Sequence, residues 1–499
     1  MPQQTPHTAS PALDPARREL LIDQHRRQRL PRLERLWQYY RNDLRAPGDA
    51  GAAHPRYEPA QAQGLPARLR RAQTVGATAN EPGQREVVIE NDIAWRIHTL
   101  VDFMVPTRPT IQSQASDPQR ARLIERFLHA VFDQAGGVGF FQDMALLGAV
   151  YGFSDVLLRV VEPGSARRST SAHDSTDPAA LANRLRLELI EAPRAVPALN
   201  SDDYRRLDAY IIHHHQQSAT PARHRLLQRV RERVLGRGAT PWQVEQRTEV
   251  FTADQHERYH SDASAHQDRR LIERSPNRLG RLPVVHIQNL PQPFYYEGLS
   301  EVEPLIPLQD ELNTRLSDRA NRVTFQSFKM YLGKGIEGFT ERPVGPGQMW
   351  QADDPNASIQ EFGGDGDSPS EEAHINELRQ AMDKTSAVPP VAAGLLRDKV
   401  GNLTSENALR VTLMGLLART EKKRVTYGQG IQRICELALH AADVQGMLPN
   451  APHERDVRID WPDPIPDSET AQLQNAKRKL ELGVPRQQVL TELGYSDVA

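Results

Sequence analysis

Leu282-Pro-Val-Val-His-Ile287 is a short run of apolar and β-branched residues, the composition of a buried strand. Asn289-Leu-Pro-Gln-Pro-Phe294 follows as a turn-prone link, and Gly298-Leu-Ser300-Glu301 then opens a helix. Ser300 is placed to cap it, and Glu301 and Glu303 favour the positive end of its dipole. Val302, Leu305, Ile306, Leu312, Leu316 and Val323 recur mostly at three- and four-residue steps and form one apolar stripe. The other faces carry Asp310, Glu311, Arg315, Asp318, Arg319 and Arg322, with Glu311/Arg315 and Asp318/Arg322 at the favourable i,i+4 spacing.

Beyond this stretch, an amphipathic helix is expected over 27–44, with Leu30, Leu33, Leu36, Trp37 and Tyr40 on one side. Further helices are expected over 91–103, 118–132 and 140–151. Strands are expected over 155–161, 185–190, 209–213 and 246–252, and an arginine-dense helix over 222–235. After the helix that follows Ser300, residues 330–366 are short strands and turns rich in Gly, Pro and Asp. A second helix over 369–386 has Ser368 and Glu371 spaced as a capping box. A Pro/Gly loop occupies 388–403. A long helix over 405–448 is expected to bend at Gly428 and Gly430; a strand over 457–461 and helices over 468–482 and 485–493 end the chain. The order helix, β excursion, helix, loop, long helix describes a projecting hairpin. A lone hairpin buries its apolar stripe poorly, whereas head-to-tail contacts in a ring would cover it.

This pattern resembles the portal proteins of tailed bacteriophages, in which Pro283-Val-Val-His286, Asn289 and the run from Glu297 to Asp318 are similar to the approach to the first stem helix. Leu36-Trp37-Gln-Tyr39-Tyr40 is similar to the family's N-terminal helix. Residues 88–106 and 144–160 resemble its wing, and Gly401-Asn402-Leu-Thr404-Ser405-Glu-Asn-Ala408-Leu409 resembles the exit from its tunnel loop. The likeness covers most of 32–493. One departure is Ser405-Glu406-Asn407-Ala408, where the family usually has Ser-Gly-x-Ala.

The resemblance implies a mainly α-helical subunit with a mixed α/β wing, assembled as a homo-dodecameric ring. Its parts would be a disordered N-terminal arm (1–26), the first part of the wing (27–300), stem helix 1 (301–328), the clip (329–368), stem helix 2 (369–386), the tunnel loop (387–403), the long helix with the rest of the wing (404–465) and a short crown (466–499). It implies a channel for packaging and ejecting double-stranded DNA at one capsid vertex. Arg397, Lys399 and Asn402 would face the DNA, and Leu305, Leu312, Leu316 and Val323 would lie between subunits. Partners would be the large terminase ATPase and a head–tail adaptor at the clip, with major capsid and scaffolding proteins around the ring. Assembly would take place in the host bacterial cytoplasm and the product would reside in the virion. A non-portal head-completion or capsid-associated structural protein is the second reading, and an enzyme acting on nucleic acid the third.

Composition supports a structural part over a catalyst or a membrane protein. The 499 residues carry a formal net charge of only −2, so any DNA contact is expected to be local, weak and blind to sequence. Cys435 stands alone among Ile434, Leu437 and Leu439 as a small buried hydrophobe. No apolar signal opens the chain, and the longest nearly apolar run, 144–153, is too short to span a bilayer. No phosphate-cradling G-x-x-x-x-G-K-[ST] is present. His213-His214-His215 would alternate across a strand, and Asp365-Gly-Asp367 lacks the ligand pattern of a calcium loop. No cofactor, metal or catalytic residue is expected. Arg223, Arg225, Arg229, Arg231, Arg233 and Arg237 form the most basic stretch, a solvated helix face or a docking surface for another head protein or packaged DNA.

Overall fold

The computed structural model describes residues 13–42, 88–161, 177–219, 242–262, 269–327, 330–334, 355–362, 369–394, 406–465, 469–486 and 489–490. Helices α1 (Pro15–Gln24) and α2 (Leu30–Arg41) are joined by a π-helical turn, His25–Arg29. They are followed by α3 (Asp92–Met104), β1 (Thr110–Ser113), α4 (Pro118–Gln134), α5 (Val138–Tyr151), β2 (Phe153–Val160), α6 (Pro178–Ala182) and β3 (Leu185–Ile190). A β-rich part comprises β4 (Ala195–Leu199), β5 (Leu207–Ala219), β6 (Trp242–Phe251), β7 (Gln255–Asp262), β8 (Arg270–Pro276) and β9 (Val284–Gln288). The remaining elements are α7 (Ile306–Ser327), β10 (Met330–Lys334), β11 (Ser358–Phe362), α8 (Pro369–Ser386), α9 (Glu406–Thr412), α10 (Met414–Val444), β12 (Val457–Asp460) and α11 (Glu469–Glu481).

Strand β2 lies between β3 and β9, antiparallel to both. Its first six residues are buried, as its apolar run requires of a central strand covered on both faces. The second sheet is a five-stranded antiparallel meander, β4 to β8 in order. Along β5 the two-residue alternation sorts the core: Ala209 and Ile211 pack with Val196, Val250 and Ile22 of α1, while Tyr210 and Ile212 pack with Leu157, Ile190 and Phe251.

The long helix α10 is the spine of the subunit. Leu416 at its start belongs to the cluster that includes Leu33, Leu36, Ile97, Leu312 and Met382. Its later residues Tyr427, Ile431, Ile434 and Leu437 join the cluster of Phe127, Phe132, Phe141, Met144, Val156 and Ile287. Cys435 is fully buried in that second core, where burial pushes its thiol pKa up.

Several expectations need correction. The arm expected over 1–26 is helical from Pro15: the Asp14 carboxylate accepts from the amides of Ala16 and Arg17, Ile22 is buried against the meander, and the Arg18 guanidinium sits 4.0 Å over the Tyr259 ring. The helix expected to begin at Glu301 is first a 3-10 turn, Glu303–Leu305. The helix expected over 405–448 is two helices parted at Leu413, and α10 runs through both glycines. Gly430 leaves room for a neighbour, since a Cβ there would stand 2.4 Å from Cδ1 of Ile287. Strands β7 and β8 were not expected at all.

Candidate channel and assembly site

The hairpin is made by α7 and α8, with the antiparallel pair β10/β11 at its far end. Leu312 and Leu316 of α7 and Ile375 and Met382 of α8 belong to one buried cluster. Arg322 and Glu371 form an ion pair between the two helices. The expected Glu311/Arg315 pair is present at 2.7 Å. Asp318, expected to pair with Arg322, instead meets Arg315 at 3.3 Å. The outer face of α8 carries Glu372 and Glu377, both exposed.

Of the four residues expected between subunits, Leu305, Leu312 and Leu316 are buried within the one chain at 1%, 0% and 8% exposure. They face α8 and the helical core, which leaves them no surface to offer a neighbour. The interface expectation is corrected for these three. Val323, 48% exposed, retains surface. Arg397, Lys399 and Asn402 lie outside the described residues, as do most of the clip and the arginine-rich stretch 223–237.

At the base of the hairpin Ser300 acts as expected: its Oγ accepts from the amides of Val302 and Glu303, and donates to the Val150 carbonyl at 2.6 Å. Glu301 does something the sequence did not suggest. Its amide donates to the Ala149 carbonyl, and its fully buried carboxylate accepts from Arg419 Nε at 2.9 Å and Lys423 Nζ at 3.1 Å. Burial lowers the Lys423 pKa, and the Glu301 carboxylate opposes that shift. Glu303 is held by Arg32 of α2 at 2.7 Å. The backbones also meet closely here: Gly152 has φ +91°, and a Cβ on it would lie 2.3 Å from the Gly298 carbonyl oxygen.

A third face of α7 is polar and buried. Gln309, Asn313 and Ser317, at steps of four, bond to the backbone of residues 88–92. This stripe was not singled out in the sequence: its only signal is an i,i+4,i+8 row of hydrogen-bonding side chains, and its partner segment lies more than 200 residues away in sequence.

Several polar groups elsewhere in the body are paired. Asp155 accepts from Tyr210 Oη at 2.6 Å and pairs with His286 Nδ1 at 2.6 Å, while His286 Nε2 faces the Tyr296 carbonyl at 2.8 Å. A cleft of about 580 Å³ is lined by Arg17, Arg29 and Arg32, and these arginines pair with Asp208, Glu297 and Glu303. His213 bonds Thr248 Oγ1 at 3.0 Å. Among the described residues no group of three or more His, Cys, Asp or Glu is arranged to hold a metal ion. Nor is any helix there long and apolar enough to cross a membrane.

A helical hairpin is thus clamped onto an α/β body through buried leucines and ion pairs. The family described as phage portal protein, SPP1 Gp6-like, matches residues 243–496, just over half of the chain, and the chain belongs to that family. Among solved structures it is similar to a chain in the virion of a native gene transfer agent (GTA) particle, with 13% identity, TM-score 0.42 and coverage of 80% of this chain and 89% of that one. It is also similar to a chain in the neck of an empty GTA particle computed with C6 symmetry, with 12% identity, TM-score 0.42 and coverage of 79% and 90%. No curated protein matches the sequence.

Proposed function

We propose that copies of this chain close into a homo-dodecameric ring at one capsid vertex, with the α7–α8 hairpins surrounding a channel for double-stranded DNA. Membership of the portal family over 243–496 carries the reading, because that span contains the whole hairpin, the loop after α8 and the long helix. The exposed acids Glu372 and Glu377 on α8 fit a wall that does not hold phosphate. Arg397 and Lys399, with Asn402, supply weak contacts that let DNA slide.

In this reading the protein performs no chemistry and needs no cofactor. The large terminase ATPase supplies the energy and docks on 329–368, which a head–tail adaptor later occupies. Major capsid and scaffolding proteins surround the ring, which assembles in the bacterial cytoplasm and stays in the virion. Val323 takes the place of the buried leucines as the stem residue facing a neighbour. Heads assembled without this chain should contain no DNA; heads that fill normally without it would overturn the reading.

A further inference from the structure

The cleft lined by Arg17, Arg29 and Arg32 lies between the α1–α2 helices, the edge strand β4 and the loop 292–297. It is electrically balanced. Arg17 pairs with Asp208 at 3.1 Å, Arg29 with Glu297, and Arg32 with Glu303 at 2.7 Å and Glu297 at 3.1 Å. A charged occupant would compete with these partners, and a neutral one would not. Nor does the cleft suit an added strand: Arg17 and Arg29 already donate to the Leu199 and Ala195 carbonyls of β4, and Pro197 between them has no amide to offer.

Between these pairs the walls include Leu21, Val196, Pro197 and Tyr295, the last 63% exposed. A fixed loop presents that ring: Gln288 Nε2 donates to the Tyr295 carbonyl at 3.0 Å, and the amide of Phe294, at φ +70°, donates to Tyr204 Oη at 3.1 Å. Extended, proline-bearing segments dock on aromatic-lined grooves of this kind. The chain itself brings one to the spot. Residues 1–12, Met1-Pro-Gln-Gln-Thr-Pro6-His-Thr-Ala-Ser-Pro11-Ala12, lie outside the described residues and immediately precede α1. Leu13, where the description begins, packs against the apolar cluster that contains Val196, as does Leu21. Before α1 the backbone is therefore already at the edge of the cleft.

We propose that Pro6-His-Thr-Ala-Ser-Pro11 of the same chain folds back along α1 and fills this cleft. The stretch contains no Asp, Glu, Lys or Arg, which matches walls whose charges are already paired. Its two prolines fix φ and lower the entropy lost on ordering. At about 3.1 Å per residue of polyproline II chain, residues 6–12 reach about 22 Å. The helical stretch from Arg17 to Arg32 is about as long, at about 1.5 Å per residue. Seated there, the segment ties α1 and β4 to the loop that carries Tyr295.

Hydrogen exchange read by mass spectrometry compares the full chain with one lacking residues 2–11, which keeps Leu13 and the Asp14 cap. The deletion should accelerate exchange of 292–297 at least fivefold and leave 427–442 of α10 unchanged. A chain with Ser10→Cys and Gln292→Cys then shows whose segment fills the cleft, since Cys435 is fully buried and shielded from reagent. A short bismaleimide should bridge the two new thiols within one chain, giving a cross-linked monomer on a denaturing gel. Unchanged exchange of 292–297 after the deletion, or thiols that react without bridging, would overturn the proposal. So would a ladder of dimers and larger species, which would assign the cleft to the segment of a neighbouring copy.

Discussion

Lys423 Nζ donates to Glu301 Oε2 at 3.1 Å, with both side chains at most 1% exposed. The pair joins the first residues of the stem to the middle of the long helix, and Arg419 Nε completes it from one turn earlier. Removing the acid strands a buried ammonium, a change that costs roughly 3–5 kcal/mol where a buried pair loses one member. Glu301→Ala should lower the urea midpoint accordingly, and Glu301→Ala with Lys423→Met should recover much of the loss. Equal midpoints for wild type and Glu301→Ala would show that the pair contributes nothing.

Leu312 and Val323 separate folding from assembly. Leu312 is fully buried in the subunit, so Leu312→Ala should cost about 2–5 kcal/mol of subunit stability. Val323→Asp sits on exposed surface and should leave subunit stability unchanged while weakening association. Calorimetry and light scattering distinguish the two. A Val323→Asp protein that assembles as wild type would remove this residue from the interface.

His213 carries a pH dependence. Burial, then the neighbouring His215, His25, His214 and Arg26, lower its pKa from 6.5 to about 4. The unfolded chain therefore binds a proton between those values that the folded chain does not, so stability is lost as pH falls from 6.5 toward 4. The loss approaches about 3 kcal/mol by the free-energy equivalent of a pKa shift. His213→Gln should flatten the urea midpoint over that window; an unchanged slope would place the dependence elsewhere.

The hairpin and the apolar strands were legible because local pattern and tertiary role agree there. Helix 369–386 and strand 185–190 have the expected bounds, and β2 lies close to them. Strands β7 and β8 were not, because Gln255-His-Glu-Arg-Tyr-His-Ser-Asp262 and Arg270-Leu-Ile-Glu-Arg-Ser-Pro276 carry no clean alternation; cross-strand charge pairs such as Arg258–Glu273 at 2.9 Å and Arg274–Glu257 at 2.8 Å help hold them. At Leu305, Leu312 and Leu316 the apolar stripe was visible, but a stripe does not say whether the surface covering it comes from the same chain. Glu301 looked like a helix-dipole charge because its partners are more than 100 residues distant.

Arg397 and Lys399 provide the test of DNA contact. Replacing both with alanine should leave the ring assembled and change genome packaging or retention. Any DNA affinity measured for the wild type should fall as salt rises, since phosphate contacts release counterions. Wild-type packaging and retention in the double variant would mean that the loop does not touch DNA through these charges.

Whether copies of this chain close into a ring is decided by electron microscopy of the purified protein. A portal subunit should give closed rings with a central hole wide enough for double-stranded DNA and cyclic symmetry set by repeated copies of one subunit. Monomers, or irregular oligomers without a central channel, under conditions where the subunit is folded, would contradict ring assembly.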